Sequence, residues 1–337
     1  MTAASSSAPD LRQVASLLVI KPSSLGDIVH TLPAVHLIKQ AHPHLHIRWI
    51  SNPEWIPLLE GNADLDEVIP FPRREFRGLD GFVKFLLWAR RLNREERQFP
   101  EVALDFQGLL RSGLIARMRG SERVIGLSDS REGARYFHDH VVTVNSFAHA
   151  VDRNLEMPRF FGIEAPTDEL KFPLPAGSAP EGFTIPDHFL LIHPYSRGEG
   201  KSLSHENLQA LCDCLAPRPV LIVGRQSPTQ EIMGRHVISA VNKTSLSELL
   251  WLIHHATACL SVDSGPMHMA AAAGKPTLGI HTWSDPRKVG PYQDQAVVWK
   301  AGRIAHRNDF TDLDAGQNQP IEAPNIRRMA DFLLTHA

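Results

Sequence analysis

The segment Cys259-Leu-Ser-Val-Asp-Ser-Gly-Pro-Met-His-Met-Ala-Ala-Ala-Ala-Gly274 decides the fold of this chain. Its first four residues form the short apolar run of a buried strand, and Pro266 suits the first turn of a helix over Pro266–Ala273. A helix start that directly follows a strand attracts anions, because its first backbone N–H groups have no partner within the helix. The segment therefore predicts a parallel α/β sheet with a ligand at the carboxyl ends of its strands. The candidate binding residues are Asp263, Ser264, Gly265 and His268, and His268 also fits a packed core histidine.

Short aliphatic runs alternate with helical patterns along the rest of the chain, which predicts two doubly wound sheets of α/β class. The predicted strands are Leu17–Lys21, Ile47–Ser51, Glu67–Phe71, Val102–Phe106, Val124–Leu127, Phe189–His193, Val220–Val223, Cys259–Val262, Thr277–His281 and Ala296–Trp299. The predicted helices are Ile28–Ala41, Leu79–Arg97, Leu110–Arg119, Ala148–Phe161, Ser204–Leu215, Pro228–Val237, Leu246–His255, Pro266–Ala273 and Ala323–Ala337.

Proline and glycine cluster between residues 166 and 187, and such a cluster is typical of a linker between domains. We expect a loose N-terminal tail (1–14), a first Rossmann-like domain (15–165), the linker (166–187), a second Rossmann-like domain (188–310) and a C-terminal loop and helix (311–337). Ligands bind at the strand ends of such sheets, so the two domains are expected to face a cleft lined by these loops.

The composition excludes several classes of protein. The 337 residues carry 35 basic and 37 acidic side chains, and a net charge of −2 argues against a dedicated nucleic-acid binder. Three cysteines cannot build a disulfide framework, so a reducing compartment is expected. No apolar run reaches the ~20 residues that span a bilayer, and the run after the tail is too short for a signal peptide. The mature protein is therefore expected to start near residue 1 and to be cytoplasmic.

The loop after the first predicted strand reads Lys21-Pro-Ser-Ser-Leu-Gly-Asp27. Asp27 lies at or near the N-cap of the following helix, where a carboxylate stabilises the helix by ~1 kcal/mol. The same carboxylate, at the end of the first strand, also suits a general base that accepts a proton from a substrate hydroxyl. The residues alone leave both interpretations open.

The loop after the predicted strand Phe189–His193 combines hydroxyls, glycines and cations. Ser196, Arg197 and Lys201 fit a cradle for a diphosphate, although a solvated surface loop explains them equally well. The spacing differs from the phosphate loop of ATPases. Further along, His281–Pro286 fits either a rim that wraps a nucleotide or a turn with Trp283 as a hydrophobic plug.

Residues 71–135 hold 14 Lys and Arg against 9 Asp and Glu, in a chain whose net charge is negative. Their arginines are candidates to meet the carboxylates and phosphates of an anionic acceptor. Within this region the helix Leu79–Arg97 carries aromatic and basic side chains, which suits either docking on an anionic leaflet or burial of one face in the domain. The arginines that we single out are Arg73, Arg74, Arg77, Arg111, Arg119 and Arg131.

Metal binding is not expected. The pairs Asp64/Asp66 and Asp312/Asp314 have the Asp-x-Asp spacing of some metal sites, but both lie away from the candidate loops and are interpreted as turn residues. The histidine clusters lack a convincing third ligand. Cationic side chains and a helix start can supply the electrostatic stabilisation that a metal provides elsewhere.

Four motifs stand out in the candidate loops. They are Lys21-Pro-Ser-Ser-Leu-Gly-Asp-Ile-Val-His-Thr-Leu-Pro33, Asp105-Phe-Gln-Gly-Leu109, Asp263-Ser-Gly-Pro-Met-His268, and Asp285-Pro286 with Gly290-Pro-Tyr292. Together they resemble the motifs of the bacterial lipopolysaccharide heptosyltransferases, the ADP-heptose-using glycosyltransferases of family 9. The resemblance covers roughly residues 15 to 300, and the first and third motifs are the most specific. Arg131-Glu132 and the helix His149-Ala-Val-Asp-Arg153 look most like the heptosyltransferase I branch, which acts on the Kdo sugars of lipid A.

The resemblance implies a GT-B architecture and transfer of heptose from ADP-heptose to a sugar hydroxyl with inversion. Asp27 then matches the general base and Lys201 the second catalytic residue. In that architecture the first domain binds the acceptor and the second binds the nucleotide sugar. The implied donor-binding residues are Ser196, Arg197, Glu231, Asp263, Ser264, Gly265 and His268, where Glu231 is the nearest carboxylate after Val223. The implied acceptor-binding residues are Ser24, Gly26, Arg73, Arg74, Gln107, Arg111 and Arg131.

The loop His193–Lys201 departs from the family, being one residue longer than the usual version. The implied partners are ADP-heptose and a lipid-linked oligosaccharide acceptor, with peripheral contact with the inner membrane, no nucleic acid, no resident cofactor and a monomeric state. A family member with another sugar acceptor and a non-catalytic nucleotide-sugar-binding module remain alternatives. A nicotinamide oxidoreductase is disfavoured because no Gly-x-Gly-x-x-Gly follows the first strand.

Overall fold

The computed structural model describes residues 8–76, 78–95, 101–165, 170–196, 200–227 and 231–336. The chain divides into two units, Met1–Pro173 and Leu174–Ala337, and their boundary falls inside the proline- and glycine-rich segment 166–187. Among the described residues, no helix combines the length and the apolar character that a membrane span requires.

A six-stranded parallel sheet forms the centre of the first unit, with strand order β3-β2-β1-β4-β5-β6. Its strands are β1 Ser16–Ile20, β2 His46–Ser51, β3 Glu67–Pro70, β4 Glu101–Asp105, β5 Arg123–Leu127 and β6 His140–Val142. Every residue of β1 and β4 is buried, as expected for central strands covered by helices on both faces. The strand order reverses direction at β1, and such a switch point places the loops after β1 and β4 side by side.

The α-helices among the described residues of the first unit are α1 Leu25–Ala41, α2 Gly78–Glu95, α3 Leu110–Arg119 and α4 Ala150–Phe160. Helix α1 packs on α4, where Asn154 Nδ2 donates a hydrogen bond of 3.0 Å to the His30 carbonyl. Helix α2 packs on α3 and adds Phe85 to a cluster with Phe71 and Phe76. Burial of these large aromatic side chains is the main stabilisation of this side of the sheet.

The second unit contains a seven-stranded sheet of order β13-β12-β11-β10-β7-β8-β9, parallel except for the antiparallel edge strand β13. Its strands are β7 Leu190–His193, β8 Val220–Ile222, β9 Val237–Ser239, β10 Ala258–Val262, β11 Thr277–Ile280, β12 Ala296–Lys300 and β13 Arg303–Ala305. Its helices are α5 His205–Leu215, α6 Leu246–His255, α7 Gly265–Ala272, α8 Pro286–Val289, α9 Asp312–Ala315 and α10 Ala323–Thr335.

Close approach between α7 and the sheet explains the small residues of that helix. A Cβ atom added to Gly279 of β11 would meet Met267 Sδ of α7 at 2.5 Å, so a larger residue at this position would force the Met267 side chain to move. The C-terminal helix α10 packs against α5 and buries Ile326, Met329 and Leu333 in the core of the second unit.

The sequence predicted the fold class correctly, and the predicted strands agree with the observed ones within about a residue at each end. Three short edge strands, β6, β9 and β13, were not predicted. The helix predicted over Pro228–Val237 is wrong from residue 231 onward, because Val237 begins a strand that pairs with β8. Residues 228–230 lie outside the described ranges.

Helix α1 begins at Leu25, three residues before the predicted start at Ile28. Ser24 is its N-cap, and Asp27 occupies the first turn, where its Oδ2 accepts hydrogen bonds from Ser24 N at 2.9 Å and Ser24 Oγ at 2.6 Å. The prediction placed the helix start too late because the polar residues Ser24 and Asp27 belong to the helix terminus rather than to the loop before it.

Candidate active site

The loop after β10 forms the centre of the candidate site in the second unit. The Asp263 backbone N–H donates to the Ile280 carbonyl at 2.9 Å, which holds Asp263 at the end of two neighbouring strands. Ser264 is the N-cap of α7, and its Oγ lies 3.1 Å from His193 Nδ1 at the end of β7. The sequence therefore places Asp263, Ser264 and the α7 N-terminus together as predicted from the segment Cys259–Gly274.

Asp263 is held by groups from two further loops. Ser284 Oγ donates a hydrogen bond of 2.7 Å to Asp263 Oδ2, and the same hydroxyl lies 2.8 Å from His281 Nδ1. Lys201 Nζ lies 3.7 Å from Asp263 Oδ2, and it also lies over the Trp283 ring, 4.3 Å from the ring centroid. The two charged side chains keep about a fifth of their surface exposed, so the pair remains accessible to a ligand.

The electrostatics of this cluster favour an ionised Asp263. Burial raises the pKa of Asp263, but the opposing influence of His281, the Ser284 hydrogen bond, His268 and Lys201 outweighs it and holds the pKa below its usual range. Burial lowers the pKa of His281 to about 4, although the nearby Asp263 carboxylate opposes this shift. A neutral imidazole can therefore keep its hydrogen bond with Ser284 at neutral pH.

The other residues predicted to bind the donor are placed as follows. Ser196 Oγ donates to the Asp263 carbonyl at 3.3 Å, which brings Ser196 to the α7 N-terminus. His268 is buried on α7 and lies within electrostatic range of Asp263. Glu231 is exposed in an irregular segment, and among the described residues no hydrogen bond or ion pair joins it to the cluster. Arg197 lies outside the described residues.

Sequence analysis missed two members of this cluster. His281 and Ser284 were recognised only as part of a polar segment, and their contact with Asp263 depends on β10 and β11 being neighbours in the sheet. The interpretation of Trp283 as a hydrophobic plug is wrong, because its side chain is 55% exposed and lies beside Lys201.

A second site lies in the first unit, at the segment Pro22–Asp27, which joins β1 to the first turn of α1 and which we call the Asp27 loop. Asp27 lies in that first turn and is half-buried, and both of its hydrogen bonds with Ser24 involve the same oxygen, Oδ2. Ser24, the N-cap, and Gly26 belong to the same segment. Ser23 N donates a hydrogen bond of 3.3 Å to Gln107 Oε1 and so joins the loop to the one after β4.

Lys21 is a buried cation beneath this loop and was not predicted as a site residue. Its Nζ donates a hydrogen bond of 2.8 Å to the Phe106 carbonyl. Burial lowers the pKa of Lys21, and the carboxylates of Asp27, Asp105 and Asp129 oppose the shift. A lysine as the last residue of an apolar first strand was the available signal, because such a position points into the site rather than to solvent.

A cavity of about 420 Å³ opens beside Gln107 and collects several of the predicted acceptor residues. Arg73, Arg111 and Glu132 contribute charge to its lining, and burial followed by the charge of Arg73 lowers the pKa of Arg111. Two neighbouring guanidinium groups favour an anionic ligand. Its apolar wall consists of Pro22, Phe71, Phe76, Phe82, Phe85, Leu109, Leu110, Leu114 and Ile115.

Four of the predicted acceptor-binding residues fall outside the lining of this cavity. Arg74 is exposed on the same short helix as Arg73, and the Arg131 side chain is exposed, while its backbone N–H donates to the Gly108 carbonyl at 2.7 Å. Ser24 and Gly26 lie in the neighbouring Asp27 loop, and of that loop Pro22 and Ser23 reach the cavity.

Two further arginines were singled out from the sequence. Arg119 is buried and pairs with Glu101 at 3.4 Å, so its prediction as an acceptor contact is wrong. Arg77 lies outside the described residues.

The acidic pairs considered for metal binding have other partners. Asp64 Oδ2 lies 2.8 Å from His36 Nδ1, and Asp66 Oδ2 accepts hydrogen bonds from Lys39 and from the Ile47 N–H. Asp312 and Asp314 belong to the short helix α9 rather than to a turn, and they pair with Arg287 and Arg303. Within the part of the chain that the structure describes, no group of three or more His, Cys, Asp or Glu side chains is arranged to hold a metal ion.

The chain is similar in sequence to one family of known proteins. Residues 89–318 match the family described as "Glycosyltransferase family 9 (heptosyltransferase)". Lipopolysaccharide heptosyltransferase 1 of Escherichia coli (strain K12) is 25% identical over 311 residues, which cover 85% of this chain and 94% of the relative.

Two solved structures have the same fold. "E. coli heptosyltransferase WaaC with ADP" aligns with a TM-score of 0.75 and 19% identity over 94% of this chain and 99% of that chain. "E. coli ADP-heptose lps heptosyltransferase II" aligns with a TM-score of 0.72 and 18% identity over 95% of this chain and 99% of that chain.

The two doubly wound sheets and the likeness to these two structures show that the chain has the GT-B fold. The match over two thirds of the chain makes the assignment more specific. The chain belongs to glycosyltransferase family 9, the heptosyltransferase family.

Proposed function

We propose that this enzyme transfers heptose from ADP-heptose to a sugar hydroxyl of the lipopolysaccharide inner core, on an acceptor of the Kdo-lipid A type, with inversion at the anomeric carbon. The family assignment supports the transfer of heptose. The names of its relatives support the ADP-linked donor and the lipopolysaccharide acceptor. The enzyme is proposed to act as a cytoplasmic monomer without a resident metal.

Asp27 is proposed as the general base. Its carboxylate would take the proton of the acceptor hydroxyl as that oxygen attacks the anomeric carbon, and the bond from this carbon to the diphosphate oxygen would break with its electron pair leaving on ADP. The hydrogen bonds from Ser24 fix Asp27 Oδ2 in position. The buried ammonium of Lys21 favours the ionised carboxylate that a base requires.

Lys201 and the N-terminus of α7 are proposed to stabilise the departing ADP. Negative charge grows on the diphosphate as the bond breaks, and a cation beside a helix N-terminus is suited to offset it. Asp263 carries the same sign of charge as phosphate, so we assign it to sugar hydroxyls of the donor, from which a carboxylate accepts hydrogen bonds. Ser196 and Ser264 would contribute hydroxyls to the same site.

One observation carries the acceptor assignment. The hydrogen bond between Ser23 N and Gln107 Oε1 joins the Asp27 loop to the cavity that Arg73 and Arg111 line, and both Ser23 and Gln107 belong to that lining. A candidate base next to a cavity with two guanidinium groups and an apolar wall suits an acceptor that is anionic and amphiphilic.

Two measurements test this proposal. In a panel of nucleotide sugars, ADP-heptose should raise the melting temperature of the protein more than UDP- or GDP-linked sugars do, because only the correct donor fills the site. In a transfer assay, ADP should be released with a Kdo-bearing acceptor and not with a heptose-bearing one. Stabilisation by a UDP-linked sugar alone would refute the donor class. Release with the heptose-bearing acceptor alone would assign the chain to another branch of the family.

A further inference from the structure

Asp105, the last residue of β4, carries a buried carboxylate that the proposed mechanism does not use. Its side chain is fully buried, and both of its oxygens accept hydrogen bonds. Oδ1 accepts from the backbone N–H groups of Gln107 at 3.0 Å and Gly108 at 2.9 Å, and so closes the turn after β4. Oδ2 accepts from Ser112 Oγ at 2.9 Å and lies 3.0 Å from His138 Nε2. Because a carboxylate offers only acceptors, His138 donates through Nε2 in this pair.

A glycine in the neighbouring strand makes room for the His138 ring beside Asp105. Asp105 pairs with Gly126 of β5, so the two residues share one face of the sheet. A Cβ atom added to Gly126 would meet His138 Cε1 at 2.1 Å, and the imidazole therefore fills the space that a larger residue would take. The His138 side chain is fully buried, and among the described residues its Nδ1 has no hydrogen-bond partner. The ring is therefore anchored by its bond to Asp105, and it fixes that carboxylate in return.

The turn after β4 reaches the Asp27 loop through two groups. The Gln107 side chain accepts a hydrogen bond of 3.3 Å from Ser23 N. The Phe106 carbonyl accepts one of 2.8 Å from Nζ of Lys21, the residue directly before that loop. Gln107 and Ser23 also line the cavity proposed for the acceptor. The conformation of this turn therefore sets how the cavity wall and the Asp27 loop meet.

We propose that Asp105 and His138 are positioning residues of the acceptor site, which hold the turn after β4 so that Gln107 meets both the cavity and the Asp27 loop. The proposal rests on the proposed function, in which the cavity takes the acceptor and Asp27 accepts its proton. Without the pair, the turn would have other conformations available, and the acceptor would lose part of its binding surface. A pair that only stabilises the fold would leave the affinity for the acceptor unchanged.

A second His–Asp pair in the same unit provides the matched control. His36 Nδ1 lies 2.8 Å from Asp64 Oδ2, and these side chains are 16% and 7% exposed. Neither residue belongs to the lining of the cavity. His138→Ala and His36→Ala therefore each remove an imidazole from a buried carboxylate, and only the first does so at the turn that lines the cavity.

Steady-state kinetics with a water-soluble Kdo-bearing acceptor test the positioning role. His138→Ala should raise the KM for the acceptor about tenfold and leave the KM for ADP-heptose unchanged, whereas His36→Ala should leave both at their wild-type values. His138→Gln keeps an N–H donor for Asp105 and should restore the acceptor KM to within about threefold of wild type. If His138→Ala does not fold, His138→Leu, which fills more of the space over Gly126, replaces it with the same expected result.

A double-mutant cycle shows whether the histidine acts through Gln107. Gln107→Ala should itself raise the acceptor KM, and adding His138→Ala to it should cause no further rise, because the group that the pair positions is already absent. A full additional rise in the double variant would overturn the proposal. Equal acceptor KM values for His138→Ala and the wild type, or for His138→Gln and His138→Ala, would overturn it as well.

Hydrogen exchange tests the positioning with the full chain and without donor or acceptor. The Ser23 N–H is bonded to Gln107 Oε1, so its exchange rate reports whether that side chain stays in place. His138→Ala should speed exchange at Ser23 about tenfold, and His36→Ala should leave it as in the wild type. Unchanged exchange in His138→Ala would overturn the proposal. If the wild type transfers heptose to no acceptor, the proposed function fails, and the exchange result still decides whether the pair holds Gln107.

Discussion

The Ser284 hydroxyl donates a hydrogen bond of 2.7 Å to Asp263 Oδ2, and thereby connects the loop after β11 to the loop after β10. His281 Nδ1 lies 2.8 Å from the same hydroxyl and orients it. A hydrogen bond to a charged group contributes more to a site than one between neutral groups, so Ser284 is well suited to fix the Asp263 carboxylate beside Lys201.

Replacing Ser284 with alanine tests this positioning role. Ser284→Ala should weaken ADP-heptose binding about tenfold, because Asp263 loses the donor that orients it. The variant should also raise the pKa of Asp263, since the hydrogen bond from Ser284 is one of the interactions that lower this pKa. Calorimetric titration of ADP-heptose at pH 7 measures the affinity, and the decline of that affinity as the pH is lowered below 5 reports the pKa of Asp263. Ser247→Ala, at a half-buried serine on α6 outside this cluster, is the matched control, and equal affinities of the two variants would exclude a positioning role for Ser284.

Asp27→Asn should reduce turnover by ~10²-fold or more while ADP-heptose affinity stays nearly unchanged, because the amide cannot accept the hydroxyl proton. Single-turnover kinetics and donor titration measure the two quantities separately. Asp152→Asn controls for the loss of a carboxylate in the first turn of a helix of the same unit. A parallel loss of turnover in both variants would mean that Asp27 serves the helix rather than the reaction.

Lys201→Ala should weaken ADP binding about tenfold or more, because the diphosphate loses a cation that is held in place by Asp263 and Trp283. Equilibrium dialysis with ADP alone measures the change. Lys243→Ala removes an exposed lysine of the same unit and should leave the dissociation constant at its wild-type value. An ADP affinity of Lys201→Ala that matches this control would remove Lys201 from the donor site.

Chelation should leave the reaction rate unchanged. The proposed stabilisation of ADP comes from Lys201 and the α7 N-terminus, so a divalent cation has no required role. Initial rates are compared before and after dialysis against EDTA, with Mg²⁺ added back as the control. A rate that disappears with EDTA and returns with Mg²⁺ would show that a metal belongs to the mechanism.

Two buried histidines should make the second unit lose stability in mild acid. Burial lowers the pKa of both His193 and His281 to about 4, against an ordinary value near 6.5. Between pH 6.5 and pH 4 these histidines bind protons in the unfolded chain but not in the folded chain. The free energy of unfolding is therefore highest above pH 6.5 and falls as the pH is lowered toward 4. Each histidine contributes a slope of at most about 1.4 kcal/mol per pH unit.

Urea unfolding between pH 7 and pH 4.5 measures this slope. His193→Gln should reduce this slope by up to the contribution of one proton, about 1.4 kcal/mol per pH unit. His188→Gln, at an exposed histidine, should leave the slope as in the wild type. A wild-type stability that is constant over this range would contradict the burial of both imidazoles.

Local patterns sufficed to predict most elements of the two sheets. Buried parallel strands such as β1 and β10 are continuous apolar runs, and each is followed by polar residues that begin a helix, so neighbouring residues decide them. The edge strand β9 was not predicted, and its first residue, Val237, was assigned to the preceding helix, because three residues acquire a strand conformation only by pairing with β8.

The residues of the donor loops could likewise be recognised from their chemical types, as Asp263, Ser264 and Lys201 were. Ser284 and His281 could not, because their importance arises from contacts across neighbouring strands and loops, whereas Lys21 was missed although its place at the end of an apolar strand was a signal. Lys201 and Asp263 are 62 positions apart in the chain and 3.7 Å apart in space, and only the order of strands in the sheet brings them together. Periodicity and residue type act over a few residues, and they therefore define elements and candidate loops. Hydrogen-bond partners and burial depend on packing between distant segments. Only the tertiary structure decides these features.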